Sequence, residues 1–211
     1  MPLKVQYCSD LHLEFPKNKD FLKINPLKPI GDILLLAGDI LYFEQIAENK
    51  DFFDYLSDNF KYTFWVPGNH EYYRSDIIQR TGLLNENIRS NVFLVNNFTK
   101  HLPGVKMVFS TLWSHISPPN QLEVQYSVTD FYAIKNRGEK FTPHDFNRLH
   151  EESKLFLQKE LSIRADVPTI VVSHHVPTLL HVPRKIITDV IWEAFAVELH
   201  DFIQDSYSDY W

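Results

Sequence analysis

Residues 62–71 of the chain read YTFWVPGNHE, an apolar run that stops at a proline and a glycine and continues into three polar residues. The apolar part, residues 62–66, is typical of a short buried β-strand. Runs of the same kind occupy residues 4–8, 32–37, 92–95, 106–110 and 169–173. They alternate with longer helix-like segments, and this alternation predicts a layered α/β fold rather than a helical bundle or an all-β barrel.

Two of the intervening segments predict helices. Residues 43–60 connect the second and third predicted strands and carry apolar residues at approximately helical spacing. Residues 143–163 follow Thr142, which suits a helix cap, and begin with Pro143, which suits the first helical position. Residues 111–141 contain prolines and scattered aromatic residues without sustained periodicity, so we predict an elaborated loop region with marginal secondary structure.

Composition restricts the class of protein. With 211 residues, 44% of them hydrophobic and 23% charged, the chain is expected to form a single domain over residues 1–211. The sequence contains no apolar run near the roughly 18 residues that a membrane span requires. The N-terminus, which begins Met1-Pro2, also lacks an export signal, so we predict a cytoplasmic protein without a membrane partner. The net charge of -6 argues against nucleic-acid binding, because that needs a concentrated basic surface.

Polar clusters follow four of the predicted strands. The clusters are Ser9-Asp10-Leu11-His12, Gly38-Asp39, Gly68-Asn69-His70-Glu71 and Ser173-His174-His175. In α/β sheets, ligands collect at the carboxyl ends of strands, so residues far apart in sequence can converge there. Carboxylate, imidazole and amide groups are ligands for manganese, iron or zinc. Any one cluster alone is an ordinary turn or surface pair, but their order and strand-end placement together predict a metal site.

Taken together, these motifs resemble the calcineurin-like metallophosphoesterase family, and within it the bacterial single-domain type. The matching motifs are Asp10-Leu-His12, Gly38-Asp39, Gly68-Asn69-His70-Glu71 and His174-His175. The resemblance implies a four-layer α/β/β/α sandwich with two divalent metal ions at one end, most often Mn, Fe or Zn. It also implies a phosphate-ester substrate.

The resemblance assigns a role to each matched residue. The first metal would be bound by Asp10 and His12, the second by Asn69 and His174, and both by Asp39. A hydroxide bridging the two ions would attack phosphorus in a phosphate mono- or diester, and His70 would act as general acid toward the leaving group. The ligands would be supported from behind by Glu71 and by His175, although the adjacent pair leaves open which histidine is the ligand.

One part of the family pattern is missing from the sequence. The pattern closes with a Gly-His-x-His segment, whereas the last glycine here is Gly138, and His181 and His200 are too far apart to form such a pair. We therefore expect a C-terminally incomplete domain, truncated before its last metal-ligand motif, with three protein groups on each metal. Uncovered sheet edges would then favour a homodimer.

Two functions remain open from the sequence. The first is metal-dependent phosphoester hydrolysis, and the alternative is a degenerate phosphoesterase-fold binding or scaffold protein with weak or no catalysis. The retained His70 favours the enzyme, and the missing histidines favour the scaffold. Residues 113–137 could overhang the metals and contact the group attached to phosphate, but ligand types shared across the family do not distinguish a monoester from a diester.

Overall fold

The computed structural model describes residues 3–180, 182–183 and 189–211. Met1, Pro2 and His181, which entered the sequence arguments, lie outside these ranges. Within the described residues, two β-sheets pack face to face, and helices cover their outer faces. This arrangement is the four-layer α/β/β/α sandwich that the resemblance implied, so the predicted fold class is confirmed.

The first sheet carries three of the four polar clusters. It contains β1 (Val5–Cys8), β2 (Ile33–Ala37), β3 (Tyr62–Val66), β4 (Leu84–Arg89) and β5 (Val92–Asn96). Its order is β1-β2-β3-β5-β4, with β4 antiparallel to β5 and the other pairs parallel. Because β1, β2 and β3 are parallel neighbours, the residues that follow them lie at one edge of the sheet.

The second sheet carries the fourth cluster. It contains β6 (Phe98–Leu102), β7 (Val105–Ser110) and β10 (Thr169–Ser173), in the order β10-β7-β6. The β10 and β7 strands are parallel, and β6 is antiparallel to β7. A separate small hairpin joins β8 (Lys135–Asn136) to β9 (Glu139–Lys140). The strands predicted from apolar runs are all present, whereas β4, β6, β8 and β9 were not predicted.

Successive apolar side chains of a strand pack into different parts of the core. Ile33 and Leu35 of β2 face the second sheet, and Leu34 and Leu36 face the helical layer on the other side. The first sheet is covered by α2 (Lys50–Asn59), which buries Phe53 and Leu56. The second sheet is covered by α5 (Pro143–Leu161), which buries Leu157 and Leu161. This two-residue alternation is what a strand buried on both faces requires.

The helices follow the sequence predictions in part. The predicted helix at 143–163 is confirmed, and Thr142 and Asp145 form a capping box at its start. The predicted single helix at 43–60 is wrong in detail, because residues Phe43–Asn49 form a 3-10 helix before α2 begins. At the junction, the buried Asn49 side chain donates to the carbonyl of Gln45, a local hydrogen bond that competes with regular helical bonding.

The remaining helices are short. They are α1 (Pro16–Ile24), α3 (Gln121–Ser127), α4 (Asp130–Ala133) and α6 (His200–Asp205). The helix α1 was not predicted, since it buries no residue and therefore has no apolar stripe to detect. The helices α3 and α4 lie in the segment predicted as a loop region and were not predicted either. Among the described residues, the helices are all too short or too polar to cross a membrane.

Candidate metal centre

The four polar clusters meet at the carboxyl ends of β1, β2, β3 and β10. Backbone hydrogen bonds join the first two clusters, from the amide of Asp10 to the carbonyl of Gly38 at 3.0 Å and from the amide of His12 to the carbonyl of Asp39 at 2.9 Å. The fourth cluster is joined to the same edge, because Nδ1 of His174 lies 2.9 Å from the carbonyl oxygen of Ala37. Residues distant in the sequence therefore share one site.

The backbone turns sharply where the ligand candidates lie. Asp10, His12 and Asp39 have φ angles of 56°, 46° and 56°, in the left-handed region that residues other than glycine rarely adopt. The alternative that β1 continues extended through Asp10 and His12 is therefore excluded, and a turn brings both side chains to the site. Such conformations are concentrated at functional sites, where the surrounding structure holds them.

Two glycines allow the clusters to approach each other. Gly38 has a φ angle of 89°, and a Cβ atom at this position would collide with the ring of His174. A Cβ atom at Gly68 would collide with the carboxylate of Asp39 and with the same ring. Any larger residue at either position would push the candidate ligands apart, so the glycines are needed for close approach as well as for the turn.

The first candidate cation position lies between Asp10, His12 and Asp39. Nε2 of His12 is 3.9 Å from Oδ1 of Asp10 and 3.7 Å from Oδ2 of Asp39. Nδ1 of His12 is 2.9 Å from Oε1 of Glu14, which as a carboxylate accepts the Nδ1 proton. The neutral ring then has a lone pair on Nε2. Three lone-pair atoms thus lie within 4.8 Å of one another. Acceptors cannot hydrogen-bond to one another, but together they can bind a divalent cation.

The second candidate position lies between Asp39, Asn69 and His174. Nε2 of His174 is 3.5 Å from Oδ1 of Asp39 and 3.2 Å from Oδ1 of Asn69. The Nδ1 proton of His174 is donated to the carbonyl of Ala37, so Nε2 of the neutral ring again carries a lone pair. With Nε2 of His174 unprotonated, all three atoms are acceptors, and a bound cation would satisfy them.

The buried Asp39 is common to both positions. Its Oδ2 atom faces His12, and its Oδ1 atom faces His174. The side chain is only 7% exposed, so one carboxylate presents its two oxygens to two sets of ligand atoms away from bulk water. A carboxylate placed in this way can bridge two cations.

The imidazole of His70 lies beside the first position. Its Nδ1 atom is 2.9 Å from Oε1 of Glu14, and its ring stacks on the ring of Tyr73 with centroids 4.3 Å apart. Burial lowers the pKa of His70, but the Glu14 hydrogen bond and the charge of Asp39 outweigh burial and leave the pKa above its usual 6.5. The ring is thus fixed in orientation and retains a proton readily.

The sequence reasoning missed Glu14. One oxygen of this carboxylate, Oε1, accepts from both His12 and His70, whereas Oε2 has no partner among the described residues. Burial raises the pKa of Glu14, but the two histidine hydrogen bonds outweigh it and lower the pKa to about 2. The available signal was the alternation of polar residues at Asp10, His12 and Glu14, of which the third was not considered.

Asp130 was also missed. Its side chain is buried, and Oδ1 accepts from Nδ2 of Asn69 at 2.8 Å and from the hydroxyl of Tyr73 at 2.6 Å. Burial raises the pKa of Asp130, and the two hydrogen bonds offset part of this rise. The residue begins α4, inside the segment predicted as an elaborated loop, so no local pattern marks it.

The carboxylate of Glu71 holds two of the turns together. It is fully buried and accepts hydrogen bonds at 2.7–3.0 Å from the backbone amides of Asp39, Ile40 and Gly68 and from the indole of Trp65. Burial and the charge of Asp39 raise the pKa of Glu71 to about 7, although the hydrogen bonds oppose this change. Glu71 therefore lies behind the candidate ligands, and it holds the turns that carry them by accepting from their backbone amides.

His175 lies in the core rather than among the ligand atoms. Its ring packs 5.3 Å from the ring of Trp113 and 5.8 Å from that of Phe146, and Nδ1 is 3.3 Å from the carbonyl of Thr111. Burial lowers the pKa of His175 well below 6.5, so the ring is neutral. Of the two adjacent histidines, His174 is the one whose Nε2 atom faces Asp39 and Asn69.

Comparisons with known proteins identify the family and the fold of the chain. The family model for calcineurin-like phosphoesterases matches residues 3–205. An uncharacterized protein of Acanthamoeba polyphaga mimivirus is 30% identical over 192 residues, which cover 82% of this chain and 68% of that protein. The crystal structure of a phosphopantetheinyl hydrolase from Mycobacterium tuberculosis matches with a TM-score of 0.62 at 20% identity, over 92% of this chain and 75% of that one. At this identity, the structural likeness shows the fold alone.

Proposed function

Because the chain belongs to the calcineurin-like phosphoesterase family, we propose that it hydrolyses a phosphate monoester or diester with two divalent cations. The cations would be held by Asp10, His12, Asp39, Asn69 and His174, and Mn, Fe or Zn suits this set of oxygen and nitrogen ligands. The observation that carries the proposal is the carboxylate of Asp39, whose two oxygens face two separate groups of lone pairs.

The cations would supply Lewis acidity, which activates the attacking water and neutralises the phosphoryl oxygens. This local positive charge would also attract an anionic substrate to a chain whose net charge is -6. The ligand residues contribute by being oriented before the cation arrives, since Glu14 and the carbonyl of Ala37 each hold one imidazole in the required tautomer.

His70 is proposed to act on the leaving group. Its Nδ1 proton is held by Glu14, so its Nε2 atom is the one available to donate a proton to the departing alkoxide oxygen as the phosphorus–oxygen bond breaks. Stacking on Tyr73 restricts rotation of the ring.

A binding or scaffold function remains the alternative. A scaffold has no use for an imidazole held at Nδ1 by a buried carboxylate and stacked on an aromatic ring, and this observation supports the enzyme. The cytoplasmic location and the absence of nucleic-acid partners stay predictions from composition.

Hydrolysis of p-nitrophenyl phosphate and bis(p-nitrophenyl) phosphate tests the proposal. We expect turnover of at least one ester with Mn²⁺ and none with excess EDTA, and we expect Asp39→Asn to abolish it. The exposed His101 provides a matched control, since His101→Ala should retain the rate of the unmodified protein. Two bound ions without turnover of either ester would favour the binding or scaffold function instead.

A further inference from the structure

The buried carboxylate of Asp130 lies directly behind the second candidate cation position. Only 1% of the residue is exposed, and one oxygen, Oδ1, receives hydrogen bonds from Asn69 and Tyr73 at 2.8 and 2.6 Å. The other oxygen, Oδ2, has no partner within the part of the chain that the structure describes. Burying a carboxylate with half of its hydrogen-bonding capacity unused is costly, so a specific reason for its presence is expected.

The Asn69 amide has two chemically opposite ends. Its oxygen can bind a cation, whereas its amino group repels one, and rotation about the terminal side-chain bond exchanges them. Asp130 offers an acceptor, so it favours the orientation in which Nδ2 points inward to Asp130. The amide oxygen then points outward and lies 3.2 Å from Nε2 of His174.

The same carboxylate oxygen also fixes Tyr73. The hydroxyl of Tyr73 donates to Asp130, and the Tyr73 ring stacks on the imidazole of His70. A second, longer contact of 3.4 Å joins Nδ2 of Asn69 to the Tyr73 hydroxyl. Asp130 is thus in contact with one candidate metal ligand and with the residue that supports the proposed proton donor.

We propose that Asp130 is a positioning residue that holds the amide oxygen of Asn69 toward the cation shared with Asp39 and His174, and so sets the affinity of the second site. The proposal rests on the proposed function, because the second site is part of it. It also gives the segment between β7 and α5 a role at the metal centre that is separate from any contact with substrate.

Variants at Asp130 separate its effect on the orientation of the Asn69 amide from the effect of its negative charge. Asp130→Ala removes the acceptor and lets the Asn69 amide rotate. Asp130→Asn keeps an acceptor oxygen for Nδ2 of Asn69 while removing the negative charge. Tyr73→Phe is the matched control, because it removes the other donor to the same oxygen and leaves the bond to Asn69 in place.

Calorimetric titration with Mn²⁺ measures the effect on each site. We expect two ions per chain in the unmodified protein and about 10- to 100-fold weaker binding of one of them in Asp130→Ala, with the other unchanged. The weakened ion should be the one that Asn69→Ala also loses. Asp130→Asn and Tyr73→Phe should bind both ions with nearly unmodified affinity.

The outcomes distinguish this proposal from the proposed function. Two ions bound equally well by Asp130→Ala would overturn the role of Asp130 alone, and so would equal weakening of both ions. Absence of a second ion from the unmodified protein would overturn both proposals.

A measurement without metal covers the case in which Asp130→Ala fails to fold. In the unmodified protein, the two Nδ2 protons of Asn69 should exchange with water much more slowly in NMR spectra than those of the exposed Asn85. Asp130→Asn should preserve this protection, and equally fast exchange of the two asparagine side chains in the unmodified protein would refute the proposed orientation.

Discussion

Oε1 of Glu14 lies 2.9 Å from Nδ1 of His70, across 56 positions in the sequence. The same oxygen is 2.9 Å from Nδ1 of His12, so one buried carboxylate connects a candidate metal ligand to the proposed proton donor. Both imidazoles thereby donate from Nδ1 to Glu14, and Nε2 of His12 faces Asp10 and Asp39. A shift of Glu14 would therefore move both the candidate ligand His12 and the proposed proton donor His70.

His70→Ala should lower kcat about 10²- to 10⁴-fold, because the leaving group loses its proton donor. The variant should still bind two Mn²⁺ ions, since His70 belongs to neither ligand set. Steady-state kinetics combined with calorimetric titration tests this separation. Unchanged turnover would rule out the role of His70, and loss of the ions would indicate that it acts on the metal centre instead.

Stability of the metal-free protein should depend on Glu14 in acid. The pKa of Glu14 is lowered from 4.5 to about 2 in the folded protein, so the unfolded chain binds this proton more readily than the folded one. The resulting stabilisation is fully present above about pH 4.5 and is lost as the pH falls toward 2.

Urea denaturation in EDTA between pH 6 and pH 2.5 measures this effect. The free energy of unfolding of the unmodified protein should exceed that of Glu14→Gln at pH 6, and the difference should shrink as the pH falls. The exposed Glu123 provides the control, because Glu123→Gln should show a small difference without this trend. A difference between the unmodified protein and Glu14→Gln that is constant with pH would contradict the assigned pKa.

Glu71→Ala should destabilise the metal-free protein by more than about 3 kcal/mol, because it leaves buried donors of Asp39, Ile40, Gly68 and Trp65 without an acceptor. Glu71→Gln should also be costly, since its amino group would face N–H donors. Chemical denaturation beside Glu123→Ala, for which a change within about 0.5 kcal/mol is expected, measures this. A loss no larger than that of the control would show that the turns hold without Glu71.

Self-association should occur through the cleft between β1 and β10. The cleft has a volume of about 830 Å³, is lined in part by Leu3, Tyr7, Ile170 and Tyr210, and borders a β1 edge that is unpaired among the described residues. Because this edge can pair with its counterpart on a second copy, we expect a homodimer. Light scattering across concentrations should detect it, and Tyr7→Lys, which places a charge on the edge, should weaken it. A monomer at every concentration would contradict this prediction.

The sequence was informative where burial is complete. The apolar runs of β2, β3 and β7 were recognised because nearly every residue in them is buried. In contrast, β4 and β6 consist largely of half-exposed or exposed residues, and α1 buries none, so no periodic apolar pattern distinguishes them from loops. Tertiary contacts determine these elements.

The candidate site divides in the same way. Asp10, Asp39, Asn69 and His174 could be identified because each follows a strand, and strand ends are where ligands collect. Glu14 and Asp130 act through partners 56 and 61 residues away, and Asp130 belongs to a segment without periodic pattern. Glu14 continues the alternation of polar residues from Asp10 and His12, whereas Asp130 carries no local signal and is identified only by the folded arrangement.

The count of Mn²⁺ ions bound by the unmodified protein and by Asp39→Ala, measured by calorimetric titration, tests the central claim most directly. If Asp39 joins two cation positions, the unmodified protein binds two ions and Asp39→Ala binds both at least about tenfold more weakly. An unmodified protein that binds fewer than two ions, or an Asp39→Ala variant that binds both as tightly as before, would contradict the account.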